Sequence, residues 1–163
     1  MLPKRPRLDP ALYVGLKRYF LTFCTAGRHP WFVKDDVVHM VLEQLLQSAA
    51  RFDVEVVAYC FMPDHLHLLL EGTTVSADAR AFVHQAKQRS GYAFCRTHPD
   101  RKLWQPSYYD RVLHDDDVTL SVAKYTLENP VRARLVESPL EYPFIGSIKY
   151  PVQEVLAAAG WQP

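Results

Sequence analysis

The sequence predicts an α+β domain in which helices pack mainly on one face of an antiparallel sheet. Three observations predict it. Two β-prone runs, residues 54–61 and 65–71, flank a Pro63-Asp64 turn and read as a hairpin. Apolar residues recur at helical spacing through Val37, Val38, Val41, Leu42, Leu45 and Leu46. Strand-like and helix-like segments follow one another in the order β-α-β-β-α-β-α.

Residues 1–11 are basic and proline-rich and read as an extended arm. Residues 19–24, aromatic and β-prone, form a first strand that ends near Gly27. Residues 35–50 are the first helix. The hairpin follows, its second strand closed by Gly72. Residues 76–94 read as a helix with Ser76 as N-cap. Residues 108–113 are a short strand. Residues 115–128 are a helix with acids in its first turn, where the helix dipole favours them. Pro130 either ends this helix or opens another. Residues 152–159 form a short terminal helix. The order is related to the ferredoxin-like fold, and the 163 residues suit a single domain.

Hydrophobic residues are 48% and charged residues 23% of the chain, a globular composition. No apolar run is long enough to cross a bilayer, and the charged start has no apolar stretch behind it. The expectation is a cytoplasmic protein without membrane association. Cys24, Cys60 and Cys95 fit no zinc spacing and read as free thiols. A net charge of +1 does not by itself mark a nucleic-acid binder. The cations nevertheless cluster, at Lys4, Arg5 and Arg7, at Lys87 and Arg89, at Arg101 and Lys102, and at Arg132 and Arg134.

The sharpest motif is Met62-Pro63-Asp64-His65-Leu66-His67-Leu68-Leu69-Leu70-Glu71. Alternation puts His65 and His67 on one face of a strand and Leu66, Leu68 and Leu70 on the other. Two neighbouring imidazoles can hold one divalent metal; a solvated pair of histidines on an open strand face is the plainer reading. Glu71 shares their face. In the helix 115–128, Leu120, Ala123 and Leu127 form a stripe roughly opposite Tyr125, and Asn129 lies one turn beyond it. A phenol has a pKa of about 10 and needs a nearby cation to serve as a nucleophile. Tyr125 is either that nucleophile or a core tyrosine. Asn129 is either an oxygen ligand or a helix cap before Pro130. Histidine-triad hydrolases need a third alternating histidine, and Leu69 stands in that place.

The chain resembles the single-tyrosine HUH transposases, particularly their REP-associated branch. The resemblance runs from about Arg5 to Trp161. It rests on several motifs in one order: residues 19–25 with Gly27-Arg28, the Met62 to His67 segment, Leu103-Trp104-Gln105-Pro106-Ser107-Tyr108-Tyr109-Asp110, residues 125–133, and Glu141-Tyr142-Pro143-Phe144. Phe144 and Ile145-Gly146 depart from a more usual tryptophan and serine stretch.

The resemblance implies an HUH fold with His65, His67 and Asn129 as metal ligands and Tyr125 as catalytic tyrosine. It implies Mg²⁺ or Mn²⁺ as cofactor, single-stranded or hairpin DNA as partner, and a 5′-phosphotyrosine intermediate in cleavage and rejoining. The protein would act on nucleoid DNA as a monomer or homodimer. Lys4, Arg5, Arg7, Lys87, Arg89, Lys102 and Arg132 are the expected phosphate contacts, and Trp104 stacks bases or anchors the core. The alternative is a domesticated DNA-binding protein of the same fold that does not cleave.

Overall fold

Burial alternates residue by residue along β1 (Arg18–Cys24). Tyr19, Leu21 and Phe23 are buried on one side of the sheet, leaving Phe20, Thr22 and Cys24 for the other. The computed structural model describes residues 9–162, apart from the Asp117 side chain. The cations Lys4, Arg5 and Arg7, and with them most of the expected arm, lie outside the described residues. Where description begins, Asp9 caps a short 3-10 turn over Pro10–Tyr13 rather than an extended segment.

β2 (Val54–Met62) and β3 (His65–Gly72) form the expected hairpin, with Met62 opposite His65 across the Pro63-Asp64 turn. β1 pairs with β3 on one side and with β4 (Tyr109–Leu113) on the other. A two-residue strand, β5 (Ile145–Gly146), pairs with β2 at the opposite edge. All pairings are antiparallel, in the order β4-β1-β3-β2-β5. β5 is too short to carry a strand signal in sequence.

The β2 register shifts between Val56 and Ala58. Val54 and Val56 belong to one core, and after the shift Phe61 belongs to it as well. The extra residue therefore reverses the alternation, which is why β2 reads as an almost unbroken apolar run.

α1 (Asp35–Arg51) and α2 (Ala79–Thr97) cover one face. Val38, Val41, Leu45, Phe82 and Ala86 pack there over Leu66, Leu68 and Leu70. α3 (Asp116–Arg132) and α4 (Val152–Ala158) cover the other. Val122, Ala123, Leu127, Val155 and Leu156 pack on Ala58 and Leu69. The α+β antiparallel plan is as expected, but helices are shared between the faces. Leu69 and Ala58 make the histidine face apolar over part of its length, so that part must also be covered.

Helix boundaries differ from expectation. Asp78, not Ser76, caps α2, its carboxylate accepting from the Ala81 N–H at 2.9 Å. Asp115 caps α3, and that helix continues through Pro130 to Arg132. A proline in the last turn removes only one backbone bond. Asn129 is therefore inside the helix and caps nothing. Leu120 is exposed, and Val122 takes its place in the buried stripe.

Gly72 fixes the end of the hairpin against the start of β1. A Cβ there would overlap the Gly15 carbonyl oxygen, and Gly15 itself holds a φ of 102°. Gly72→Ala is expected to lower stability by about 2 kcal/mol. The measurement is the urea midpoint, with the slope of the transition unchanged. A midpoint equal to that of the parent would mean that the Gly15 segment yields at no cost.

Candidate active site

The two histidines open β3, directly after the Pro63-Asp64 turn. Their side chains lie on the α3 face, beside Thr22 and Cys24 of β1, which pair with His67 and His65 across the strands. The Nε2 atoms face each other at 3.2 Å. Each Nδ1 has its own partner. Asp64 Oδ1 lies 2.7 Å from Nδ1 of His65, and Thr22 Oγ1 lies 2.9 Å from Nδ1 of His67.

Chemistry then decides where the protons sit. A carboxylate only accepts, so it holds a proton on Nδ1 of His65 and leaves Nε2 of the neutral ring with its lone pair. The Thr22 hydroxyl can donate or accept, so it accommodates either tautomer of His67. The 3.2 Å contact is a hydrogen bond, so Nε2 of His67 donates to Nε2 of His65 and Thr22 donates to Nδ1 of His67. A cation held by both rings would instead require the tautomer in which Nδ1 of His67 donates to Thr22. Partners of this kind on the far nitrogen orient ligating histidines.

His67 is only 6% exposed. Burial pushes its pKa down to about 3, helped by the charges of His65 and Arg28. It is therefore uncharged at neutral pH, as a ligand must be. Asp64 is itself held: Arg28 Nε donates to its Oδ2 at 2.8 Å. Burial alone pushes the Asp64 pKa up, but the hydrogen bond from His65 and the Arg28 charge hold it below the ordinary carboxylate value. Arg28 adopts a φ of 57°, immediately after Gly27 at 62°, and this turn carries its side chain back to Asp64.

α3 brings Tyr125 to the same place. Its ring centroid lies 5.8 Å from that of His67 and 6.0 Å from that of Phe20, which also stacks on His67 at 5.4 Å. Tyr125 is 39% exposed, so it is not a core tyrosine. Tyrosine and histidines meet within one chain. Asn129, one turn on and 9% exposed, donates from Nδ2 to the Tyr125 carbonyl at 3.0 Å. Its Oδ1 carries no hydrogen bond among the described residues and is the atom available to a ligand. A cleft of about 410 Å³ opens here, lined by Phe20, Thr22, His67, Tyr109, Arg111, Val122 and Tyr125.

The other expected residues fall into place unevenly. The Arg132 guanidinium sits 5.1 Å from the Tyr125 ring centroid, a cation–π distance. Lys102 is exposed, away from the residues that line the cleft. Lys87 donates to the carbonyls of Gln105 and Ser107 at 2.7 and 3.2 Å, so it pins the segment before β4 onto α2. Arg89 bridges α2 to α1 through the side chains of Gln44 and Gln47. Trp104 is 9% exposed, packs against Phe23 and Phe32, and donates from Nε1 to Ser90 Oγ at 2.9 Å. Buried and bonded this way, Trp104 is a core anchor and not a base-stacking ring. Glu71 accepts from Arg18 and Lys149 at the far end of β3, so it belongs to an ion-pair group and not to the histidine pair.

Sequence reasoning missed Asp64, Thr22, Arg28 and Arg111 as site residues. Asp64 was legible only as a turn residue. Thr22 needed the β1–β3 register, which puts it opposite His67.

Comparison with known proteins decides the family. The model of the family described as "Transposase IS200 like" matches residues 14–129, which include both histidines, Tyr125 and Asn129. The chain belongs to the IS200-like transposase family. Among these transposases, a curated protein of Haemophilus influenzae named "Putative REP-associated tyrosine transposase" is 24% identical over 136 residues, covering 77% of each chain. The ISDra2 transposase TnpA of Deinococcus radiodurans is 34% identical over 103 residues, 59% of this chain and 72% of that one. The resemblance to single-tyrosine transposases is thus met, and a REP-associated protein is among the relatives. A solved REP-associated tyrosine transposase, bound to a REP hairpin, superposes with a TM-score of 0.75 at 17% identity, covering 98% of this chain and 88% of that chain, and so shares this transposase's fold. Among the described residues no helix is long and apolar enough to cross a membrane.

Proposed function

We propose that this transposase cleaves and rejoins single-stranded DNA at hairpin-forming repeats, through a metal-dependent 5′-phosphotyrosine intermediate. The observation that carries the reading is the placement of an exposed tyrosine against a buried, neutral histidine that shares an Nε2–Nε2 approach with its neighbour. Hairpin specificity is supported by the REP-associated relative and by the fold shared with the hairpin-bound transposase. The place of action is the chromosome, hence the cytoplasm.

Tyr125 supplies the nucleophile. Its phenol oxygen bonds to the scissile phosphorus while the bond to the 3′-oxygen breaks. The phenol proton leaves, and the 3′-oxygen gains one to become a free hydroxyl. The phosphodiester is conserved as a tyrosyl ester, so a 3′-hydroxyl can reverse the step without water or ATP. The donor types suit a divalent cation. His65 and His67 would hold it through their Nε2 atoms, with Asn129 Oδ1 as an oxygen ligand, an open set unlike a closed structural site. Mg²⁺ or Mn²⁺, the latter better matched to imidazole, would polarise the phosphate as a Lewis acid. Asp64 and Thr22 hold the imidazoles in place. The contact of Tyr125 with His67 within one chain supports a site built in cis.

The test is incubation of labelled single strands, taken from the DNA flanking its own gene, with and without Mn²⁺, followed by a denaturing gel. A metal-dependent protein–DNA band supports the reading. Binding to a flanking hairpin with no adduct would replace it with the non-cleaving DNA-binding protein. Asp64→Ala serves as a finer test, since it keeps both ligands and removes the partner of His65. Mn²⁺ affinity, read from the electron paramagnetic signal of free Mn²⁺, is expected to fall about 10- to 100-fold. Unchanged affinity would show that His65 needs no orienting partner.

A further inference from the structure

The active-site cleft has a wall that the mechanism above leaves unused. It is the face of β4 carrying Tyr109, Arg111 and Leu113. Strand alternation turns these residues toward α3, and Leu113 is buried in the core beneath that helix. Arg111 lies opposite Phe20 in the β1–β4 register, and Phe20 is the residue that touches both His67 and Tyr125. Among the described residues lining the cleft, Arg111 carries the only permanent charge. It is exposed, and no hydrogen bond or ion pair ties its guanidinium to another described residue. Arg18, on the strand beside it, is by contrast committed to Glu71 and Asp116.

We propose that Arg111 binds a backbone phosphate of the single strand that Tyr125 attacks, so that the strand crosses the sheet between α3 and β4. The inference rests on the functional reading given above. A guanidinium offers a planar fork of donors that matches phosphate oxygens. A cation without a carboxylate partner needs none to be displaced when DNA arrives. Tyr109 stands two residues before Arg111 on the same face, with its ring edge-on to Phe20. A nucleotide held at Arg111 therefore lies beside an aromatic ring suited to stacking. A plainer role for Arg111 is to keep an open sheet edge from pairing with other chains. That role involves no particular phosphate.

The experiment uses Tyr125→Phe as parent, so that binding is measured without cleavage. The probes are labelled single strands from the gene's own flanks, each with one phosphate replaced by an uncharged methylphosphonate. The parent is expected to lose affinity most at one phosphate, at or next to the cleavage point. Adding Arg111→Ala should weaken binding of the unmodified strand about tenfold, lower the salt slope by roughly one, and abolish the extra sensitivity at that phosphate. Arg111→Lys should keep most of the salt slope. If Arg111→Ala binds as the parent does, or stays as sensitive as the parent at every phosphate, the proposal is overturned. A parent that binds none of these strands overturns the functional reading itself, and this proposal with it.

Discussion

Tyr125→Phe is expected to remove the covalent protein–DNA adduct, lowering its yield by about a thousandfold or more, while leaving the fold and DNA binding intact. The two halves of this expectation have separate structural reasons. The phenol oxygen is the atom that becomes esterified. The rest of the side chain survives the substitution. The ring keeps its edge contacts to Phe20 and His67 and its place under the Arg132 guanidinium. The hydroxyl has no hydrogen bond among the described residues, so its loss leaves no buried partner unsatisfied. The denaturing gel reads the adduct, and anisotropy of a labelled strand reads binding. Cleavage by Tyr125→Phe at the rate of the parent would sink the nucleophile assignment and return attention to the other tyrosine in the cleft, Tyr109.

His65→Ala is expected to abolish stimulation by Mn²⁺ and the binding of Mn²⁺ at concentrations that saturate the parent. His65 is the better of the two histidines to remove. It is part-exposed at the start of β3, and Asp64 retains Arg28 when the imidazole is gone. Removing His67 would instead open a cavity beneath Tyr125 and strip Thr22 of its partner, so that lost function and lost packing would be mixed. Direct Mn²⁺ titration separates metal binding from catalysis, and thermal melting in chelator checks the fold. Metal-stimulated cutting that persists in His65→Ala would count against a ligand role for the pair. Retained binding without stimulation would place the cation elsewhere on the chain.

Much of this was legible in the chain before any coordinate. The alternation of residues 65–70 sent Leu66, Leu68 and Leu70 into a core and kept the histidines together on the opposite face, because the strand period of two is a local property. Helical spacing put Asn129 one turn from Tyr125 for the same reason. Both are rules of a single element and need no partner.

What neighbours contribute could not be read that way. The sequence shows a tyrosine and a histidine pair nearly sixty residues apart. Only the packing of α3 on Leu69 and Ala58 brings Tyr125 to His67. The β1–β3 register made Thr22 the partner of His67, and the left-handed turn at Gly27 and Arg28 carried a cation to Asp64. Arg89 looks in sequence like a nucleic-acid contact and Trp104 like either a stacking ring or a core anchor; packing gave Arg89 glutamine partners on α1 and buried Trp104. Arg111 gives no signal in sequence, because an isolated arginine in a five-residue strand carries no pattern; its meaning comes from Phe20 across the register. The sequence by itself determined most of the elements, the face of β3 that carries the histidines, and the residues with the required chemistry. The tertiary structure decided which of those faces meet. That choice depends on contacts between distant segments, and local periodicity does not encode it.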